Sequence, residues 1–238
     1  MTVNSHASEF LAIVPARYGS KGFPEKNLKI IGGQSLFERA VSQGLRTCGR
    51  TILTTDISEV RGRMKVEGDS CLITRNRPPK LATDSASMED VVIDVLSNYD
   101  IHERYIILLQ PTSPLRTDQD IKRAQESIWL GDFSMLMSVV KRDSSVLKSG
   151  LLLSDGEFSP LRSSSDCFTN RQLLPDVVKP NGAIYIFDVS EMRIEQSFPV
   201  RKIGAYLMPK ERSLDIDNEE DFRNACKAVD GTWIGFSK

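Results

Sequence analysis

The chain has 238 residues, 40% hydrophobic and 26% charged, with a formal net charge of −1, a balance that suits one folded α/β domain with a full core. No global basic field exists to gather nucleic acid, and apolar runs such as YIILL at 105–109 are too short to cross a bilayer. With two histidines and four scattered cysteines that form no CxxC pair, a Ser-His-Asp triad, a zinc site and a disulfide framework are all disfavoured, and a reducing cytoplasm is expected.

The N-terminal MTVNSHASEF lacks the basic start and apolar centre of a signal peptide. FLAIVPA (10–16) reads as a strand, and SLFERAVSQGL (35–45) spaces Leu36, Phe37, Ala40, Val41 and Leu45 along one helical face. TILTT (51–55) is a β-branched strand, followed by a helix to about residue 67 and a short strand, SCLIT, at 70–74. SMEDVVIDVLSNY (87–99) is an amphipathic helix, with Ser87 and Asp90 spaced as a capping box. YIILLQP (105–111) is apolar throughout, as a central parallel strand must be. TDQDIKRAQESIWL (117–130) is a helix and SMLMSVV (134–140) a strand. This alternation predicts βαβ crossovers and a Rossmann-like three-layer α/β/α sandwich around a mostly parallel sheet. Residues 141–180 break the rhythm with short apolar pieces between Gly, Ser, Asp and Pro, and read as an excursion of hairpin and loop. AIYIFD (183–188) returns to a strand, and DNEEDFRNACKAV (217–229) is a closing helix with an acidic N-terminal turn.

Ligands of such sheets bind at the carboxyl ends of the strands, where four features fall. The loop after the first strand, RYGSKGFPEKN, carries Arg17, Lys21 and Lys26 among glycines; it is either a phosphate cradle or a solvated basic turn, and it matches neither a Walker loop nor GxGxxG. Asp56 ends TTD and either caps the next turn or organises a nucleotide. LLQPTSPLR (108–116) sets Gln110, Thr112, Ser113 and Arg116 in a proline-stiffened loop, suited to orienting a substrate or to making a structural turn. In RSLDIDNEEDF (212–222), Asp215 and Asp217 lie two apart and face one side of an extended segment. Such a pair suits Mg²⁺ shared with substrate phosphates, while Asp217 is also placed to cap the last helix. A phosphate loop early and paired aspartates late suggest phosphoryl or nucleotidyl transfer.

Taken together and in this order, IVPARYGSKGFPEKN, TTD, RPPKLATDSAS (77–87), LLQPTSPLR, RQLLP (171–175), NGAIYI (181–186) and SLDID (213–217) resemble the N-acylneuraminate cytidylyltransferases, the CMP-sialic acid synthetases. The resemblance implies a nucleotide-diphospho-sugar transferase type of fold over one domain, 1–238, with a dimerisation excursion at 141–180. It implies CTP and a nine-carbon 2-keto-3-deoxy sugar acid as substrates, Mg²⁺ as cofactor, a homodimer, and neither nucleic acid nor membrane as partner. By matching position, Arg17, Lys21, Lys26 and Asn27 would hold the nucleotide, and Arg77 and Ser87 would read the base. Gln110, Lys148, Arg171 and Tyr185 would line the sugar site, and Phe198 would reach a neighbouring subunit's pocket. Asp215 and Asp217 would hold the metal and, with Arg17 and Lys21, carry catalysis. Tyr18, Phe23, Glu25, Met88 and Pro199 depart from the family pattern, which touches substrate detail more than reaction class. The rivals are a 3-deoxy-octulosonate cytidylyltransferase, disfavoured by SKGFPEKN, a related sugar nucleotidyltransferase using a different base, and a non-catalytic nucleotide-binding protein, which has no physical need for both phosphate cations and a metal pair.

Overall fold

The computed structural model describes residues 6–19, 22–60 and 71–231. In chain order the elements are β1 (Phe10–Ala16), a small hairpin of β2 (Ile30–Ile31) and β3 (Gln34–Ser35), α1 (Leu36–Cys48), β4 (Arg50–Thr55), β5 (Cys71–Asn76), α2 (Met88–Asn98) and β6 (Tyr105–Leu108). There follow α3 (Asp118–Leu130), β7 (Met135–Arg142), β8 (Gly150–Leu152), β9 (Phe158–Pro160), β10 (Val177–Asp188), α4 (Val189–Glu195), β11 (Ile203–Leu207) and α5 (Glu219–Val229). Seven strands form one sheet in the order β11-β7-β10-β6-β1-β4-β5. All neighbouring pairs run parallel except those of β10 with β6 and with β7.

Alternation along β1 builds the three layers. Phe10, Ala12 and Val14 face a core shared with Phe37, Val41, Ile121 and Ile128 of α1 and α3. Leu11 and Ile13 face the opposite core with Val92 and Val95 of α2 and Met192 of α4. Both sets are buried because β1 is central, so every one of its seven side chains is apolar. Capping boxes start α1 at Ser35 and Glu38, α3 at Thr117 and Asp120, and α5 at Asn218 and Asp221. Ser87 caps α2 by accepting from the Asp90 amide at 3.0 Å.

Some expectations shift. The last helix is capped by Asn218 and not by Asp217, whose own amide donates to Asp221 at 3.0 Å. The segment after β4 begins as a 3-10 turn, Ser58–Val60, and the helix expected to about residue 67 lies outside the described residues from 61 onward. The elements α4 and β11 were not expected from the sequence, since each is short and lies outside the regular strand-helix rhythm. The excursion is narrower than 141–180, because β7 and β10 pair out to Arg142 and Val177 and the irregular part, including the β8–β9 hairpin, hangs from that ribbon. No helix of the described residues is long and apolar enough to cross a membrane.

Candidate active site

At the carboxyl ends of β1, β4, β5 and β6 lies a cavity of about 220 Å³, lined by Arg17, Lys26, Asn27, Arg77, Met88, Gln110, Thr112, Asp215 and Asp217 among others. The loop after β1 is tied down by its own backbone. Asn27 Nδ2 donates to the Arg17 carbonyl at 2.8 Å, and the Tyr18 amide donates to Asp56 Oδ1 at 2.8 Å. Asp56 therefore ties the loop in place. Arg17 pairs with Asp84 at 2.6 Å, which joins the loop to the turn that follows β5.

The first and last motifs meet across 190 positions of chain. Lys26 Nζ donates to the Ile216 carbonyl at 2.9 Å and stands 3.6 Å from Asp217 Oδ1. Gly22 lies so close that a Cβ there would come 2.8 Å from the Asp217 carbonyl oxygen, so a side chain at that position would force the two segments apart. The Ile216 amide in turn donates to the Thr112 carbonyl at 2.9 Å, which attaches the aspartate segment to the proline-stiffened loop after β6. Further support comes from Arg212, which donates twice, at 2.9 and 2.8 Å, to the buried Asp120 of α3.

Arg77 is buried and donates to the Thr54 carbonyl at 2.8 Å. Burial pulls its pKa down to about 10, which still leaves a cation at neutral pH. Arg116 is buried as well, bonded to the Gln43 side chain and the Ala183 and Gln110 carbonyls. It is a strut beneath the loop and not a substrate contact. Burial raises the Asp215 carboxyl above the ordinary range, opposed by a hydrogen bond with Thr112 and reinforced by the like charge of Asp217. Among the described residues its Oδ1 is buried without a hydrogen-bond partner, while the Asp217 side chain is 78% exposed.

A second cavity, about 420 Å³, adjoins the first and is lined by Gln110, Val140, Arg142, Lys179, Asn181, Gly182, Tyr185, Ser213, Asp215 and Asp217, with Pro180. Gln110, Asp215 and Asp217 line both. The shared wall is shaped by a bulge in β10 between Pro180 and Tyr185. There Gly182 takes φ +77°, and a Cβ on it would stand 3.4 Å from Asp215 Oδ2.

Arg17, Lys26, Asn27, Arg77, Gln110, Tyr185, Asp215 and Asp217 are thus brought to the two cavities, while Lys21 lies outside the described residues. Four others stand elsewhere in this chain. Ser87 is occupied in capping α2, and Arg171 pairs with Asp143 at 2.8 Å on the exposed excursion. Lys148 ends a 3-10 turn of the same excursion. Phe198 stacks on Phe187 of its own core, with ring centroids 4.5 Å apart. Sequence reading missed Met88 as a lining residue, and Arg142 and Lys179. The last two are placed by strand pairing across the excursion, for which no local sequence signal exists.

Residues 11–155 match the family model described as cytidylyltransferase. Over 218 residues the chain is 34% identical to N-acylneuraminate cytidylyltransferase of Streptococcus agalactiae serotype V, a match covering 89% of this chain and 51% of that relative. The chain spans about half the length of that relative. It is 28% identical to CMP-N,N'-diacetyllegionaminic acid synthase of Legionella pneumophila, covering 89% of this chain and 92% of the other. Among solved structures, CMP:2-keto-3-deoxy-manno-octonic acid synthetase complexed with CTP superposes with a TM-score of 0.66 at 16% identity, over 93% of this chain and 98% of that one, which shows a common fold. On the family match and on this identity over most of its length, the chain belongs to the cytidylyltransferase family.

Proposed function

We propose that this protein transfers a cytidylyl group from CTP to the anomeric 2-hydroxyl of a nine-carbon 2-keto-3-deoxy sugar acid, releasing pyrophosphate. The observation that carries the reading is the pair of adjoining cavities with Gln110, Asp215 and Asp217 on their common wall. Two substrates in adjacent pockets meet at that wall. The relatives named for N-acylneuraminate and legionaminate chemistry support the choice of acid.

The nucleotide occupies the smaller cavity, with Arg17 and Lys26 against its phosphates and Arg77 beside the base or ribose. The resemblance of its motif adds Lys21 to this set. Because Arg77 is fixed by the Thr54 carbonyl before any ligand arrives, its charge needs no reorganisation on binding. Gln110 and Tyr185 orient the sugar acid in the larger cavity. The attacking hydroxyl then approaches the α-phosphorus from one side while pyrophosphate departs toward the basic loop on the other. Positioning supplies much of the acceleration, and no side-chain nucleophile is needed. Asp215 and Asp217 fit Mg²⁺, since a magnesium site takes one or two carboxylates plus phosphate oxygens and Asp215 Oδ1, without a hydrogen-bond partner among the described residues, would provide one ligand atom. Bound there, the ion would stabilise charge developing on the phosphates.

A homodimer belongs to the same reading. The excursion exposes Leu152 at 81%, Phe168 at 90% and Leu173 at 75%, an apolar set that a second copy would bury. A partner's excursion is also how Lys148 and Arg171 would reach a sugar pocket. The reaction is placed in the cytoplasm, where CTP is supplied.

The test is pyrophosphate release with Mg²⁺, crossing CTP, UTP, GTP and ATP against N-acetylneuraminate, legionaminate, pseudaminate and 3-deoxy-octulosonate. Release with CTP and a nine-carbon acid is expected. Release with 3-deoxy-octulosonate alone moves the reading to that branch, and silence across the panel from folded protein refutes it.

A further inference from the structure

The loop that follows β1 has to hold its cations in place, yet it carries Gly19 and Gly22, which give a chain its widest conformational freedom. Any part of it ordered only when the nucleotide arrives subtracts its ordering entropy from affinity. One side-chain contact joins its two ends. Tyr18 Oη donates to Glu25 Oε1 at 2.6 Å, while the Tyr18 amide donates to Asp56 Oδ1 at 2.8 Å. Tyr18 directly follows Arg17, and Glu25 directly precedes Lys26. The contact therefore closes the span 18–25 between two cations that line the smaller cavity. Within that span Phe23 is buried with Ile31, Leu36 and Ile216, so the loop is pinned at its middle as well as at its ends.

Glu25 is an unexpected residue for its position on two counts. Its φ is +54°, a left-handed conformation that is costly for a residue with a side chain. Its carboxylate also belongs to a loop that faces phosphates, where a negative charge works against the ligand. The position nonetheless shapes the site. The Leu28 amide donates to the Glu25 carbonyl at 2.9 Å, which opens the short 3-10 turn, Lys26–Leu28. From that turn Lys26 reaches the Ile216 carbonyl and Asn27 the Arg17 carbonyl. The bond from Tyr18 is what a carboxylate contributes here. That bond first, and then the charge of Glu25, push the Tyr18 pKa up, so the hydroxyl remains a donor at neutral pH. We propose that Tyr18 and Glu25 form a latch that orders the phosphate loop before the nucleotide arrives. Both are positioning residues, since neither lines either cavity, and they act through Arg17 and Lys26. This assignment rests on the cytidylyl-transfer reading and deepens its nucleotide half.

The test measures Kd for CTP by calorimetry without an acceptor, beside steady-state kinetics with one. Tyr18→Phe should raise Kd and KM for CTP about 3- to 10-fold, the worth of one net hydrogen bond, with KM for the acid held. Because Tyr18 is half exposed, its Tm should stay within about 2 °C of wild type. Glu25→Ala keeps the left-handed position and removes the acceptor. Adding Tyr18→Phe to it should change Kd by less than about twofold, since the bond is already gone. Glu25→Gln, which retains an acceptor oxygen, should bind CTP more tightly than Glu25→Ala. An unchanged Kd for CTP in Tyr18→Phe overturns the proposal. So does a Tyr18→Phe loss that is the same with and without Glu25, or one that falls equally on CTP and on the acid. Wild-type protein that binds CTP yet releases no pyrophosphate with any acid overturns the functional reading and leaves the latch to be judged on binding. Wild-type protein that does not bind CTP overturns both.

Discussion

Asp120→Asn probes how the aspartate segment is held. Asp120 is 1% exposed and accepts from Arg212 Nε and Nη2 at 2.9 and 2.8 Å, from Tyr206 Oη at 3.1 Å, and from the Thr117 amide and hydroxyl at 2.9 and 2.7 Å. Burial by itself pushes this carboxyl up, but the Arg212 and Thr117 hydrogen bonds together outweigh it and hold the pKa below the ordinary value. Breaking a buried pair by neutralising one partner costs about 3–5 kcal/mol. The Arg212 side chain is 30% exposed and can turn to water, so the lower end applies, about 3 kcal/mol. In a domain of this size that is a Tm drop of about 6–12 °C. The sign of the pH effect follows from a depressed carboxyl. The stabilisation is full above the unfolded-state pKa and is lost as pH falls through the folded one, so the wild-type advantage over the variant should shrink below about pH 4. Thermal melts at several pH values, with Arg212→Gln and the double variant completing a cycle, measure it. A coupling below about 0.5 kcal/mol, or a variant Tm within about 2 °C of wild type at pH 7, refutes the reasoning. Since Ser213 to Asp217 follow Arg212 directly, Asp120→Asn should also raise the Mg²⁺ concentration needed for half-maximal turnover.

Other changes separate fold from chemistry. Asp217→Ala should abolish Mg²⁺-dependent turnover without moving Tm by more than about 1 °C, because its side chain is exposed; near-normal activity would remove it from the metal site. Gly182→Ala places a side chain at φ +77° and a methyl 3.4 Å from Asp215 Oδ2. A Tm loss of about 2–8 °C from strain should accompany a more than tenfold loss in kcat/KM, and full activity would show that this wall tolerates bulk. Leu152→Glu with Phe168→Glu should convert a dimer to a monomer by light scattering, and an unchanged mass for the variant would place the interface elsewhere.

Much of the site was legible because its motifs are contiguous in sequence. Arg17, Lys26 and Asn27 share one loop, Gln110 ends a strand that is visibly apolar, and the two-residue spacing of Asp215 and Asp217 already put both on one side. The unbroken apolar run of FLAIVPA, buried along its whole length, and the helical spacing of Leu36, Phe37, Ala40 and Val41 come from elementary geometry, so the parallel α/β architecture follows from sequence. Charge and polarity did not reveal which conspicuous residues are substrate-facing. Arg116 and Asp56 look like ligand groups in sequence and serve as a buried strut and a loop tie, because a buried polar group takes whatever partners the packing supplies. Arg142 and Lys179 are anonymous cations on either side of an irregular excursion, and only the antiparallel register of β7 with β10 sets them on one face of a cavity. Local interactions along the chain determine elements and motifs, whereas the partners of a charge across 37 or 190 residues are chosen by tertiary packing, which no local spacing encodes.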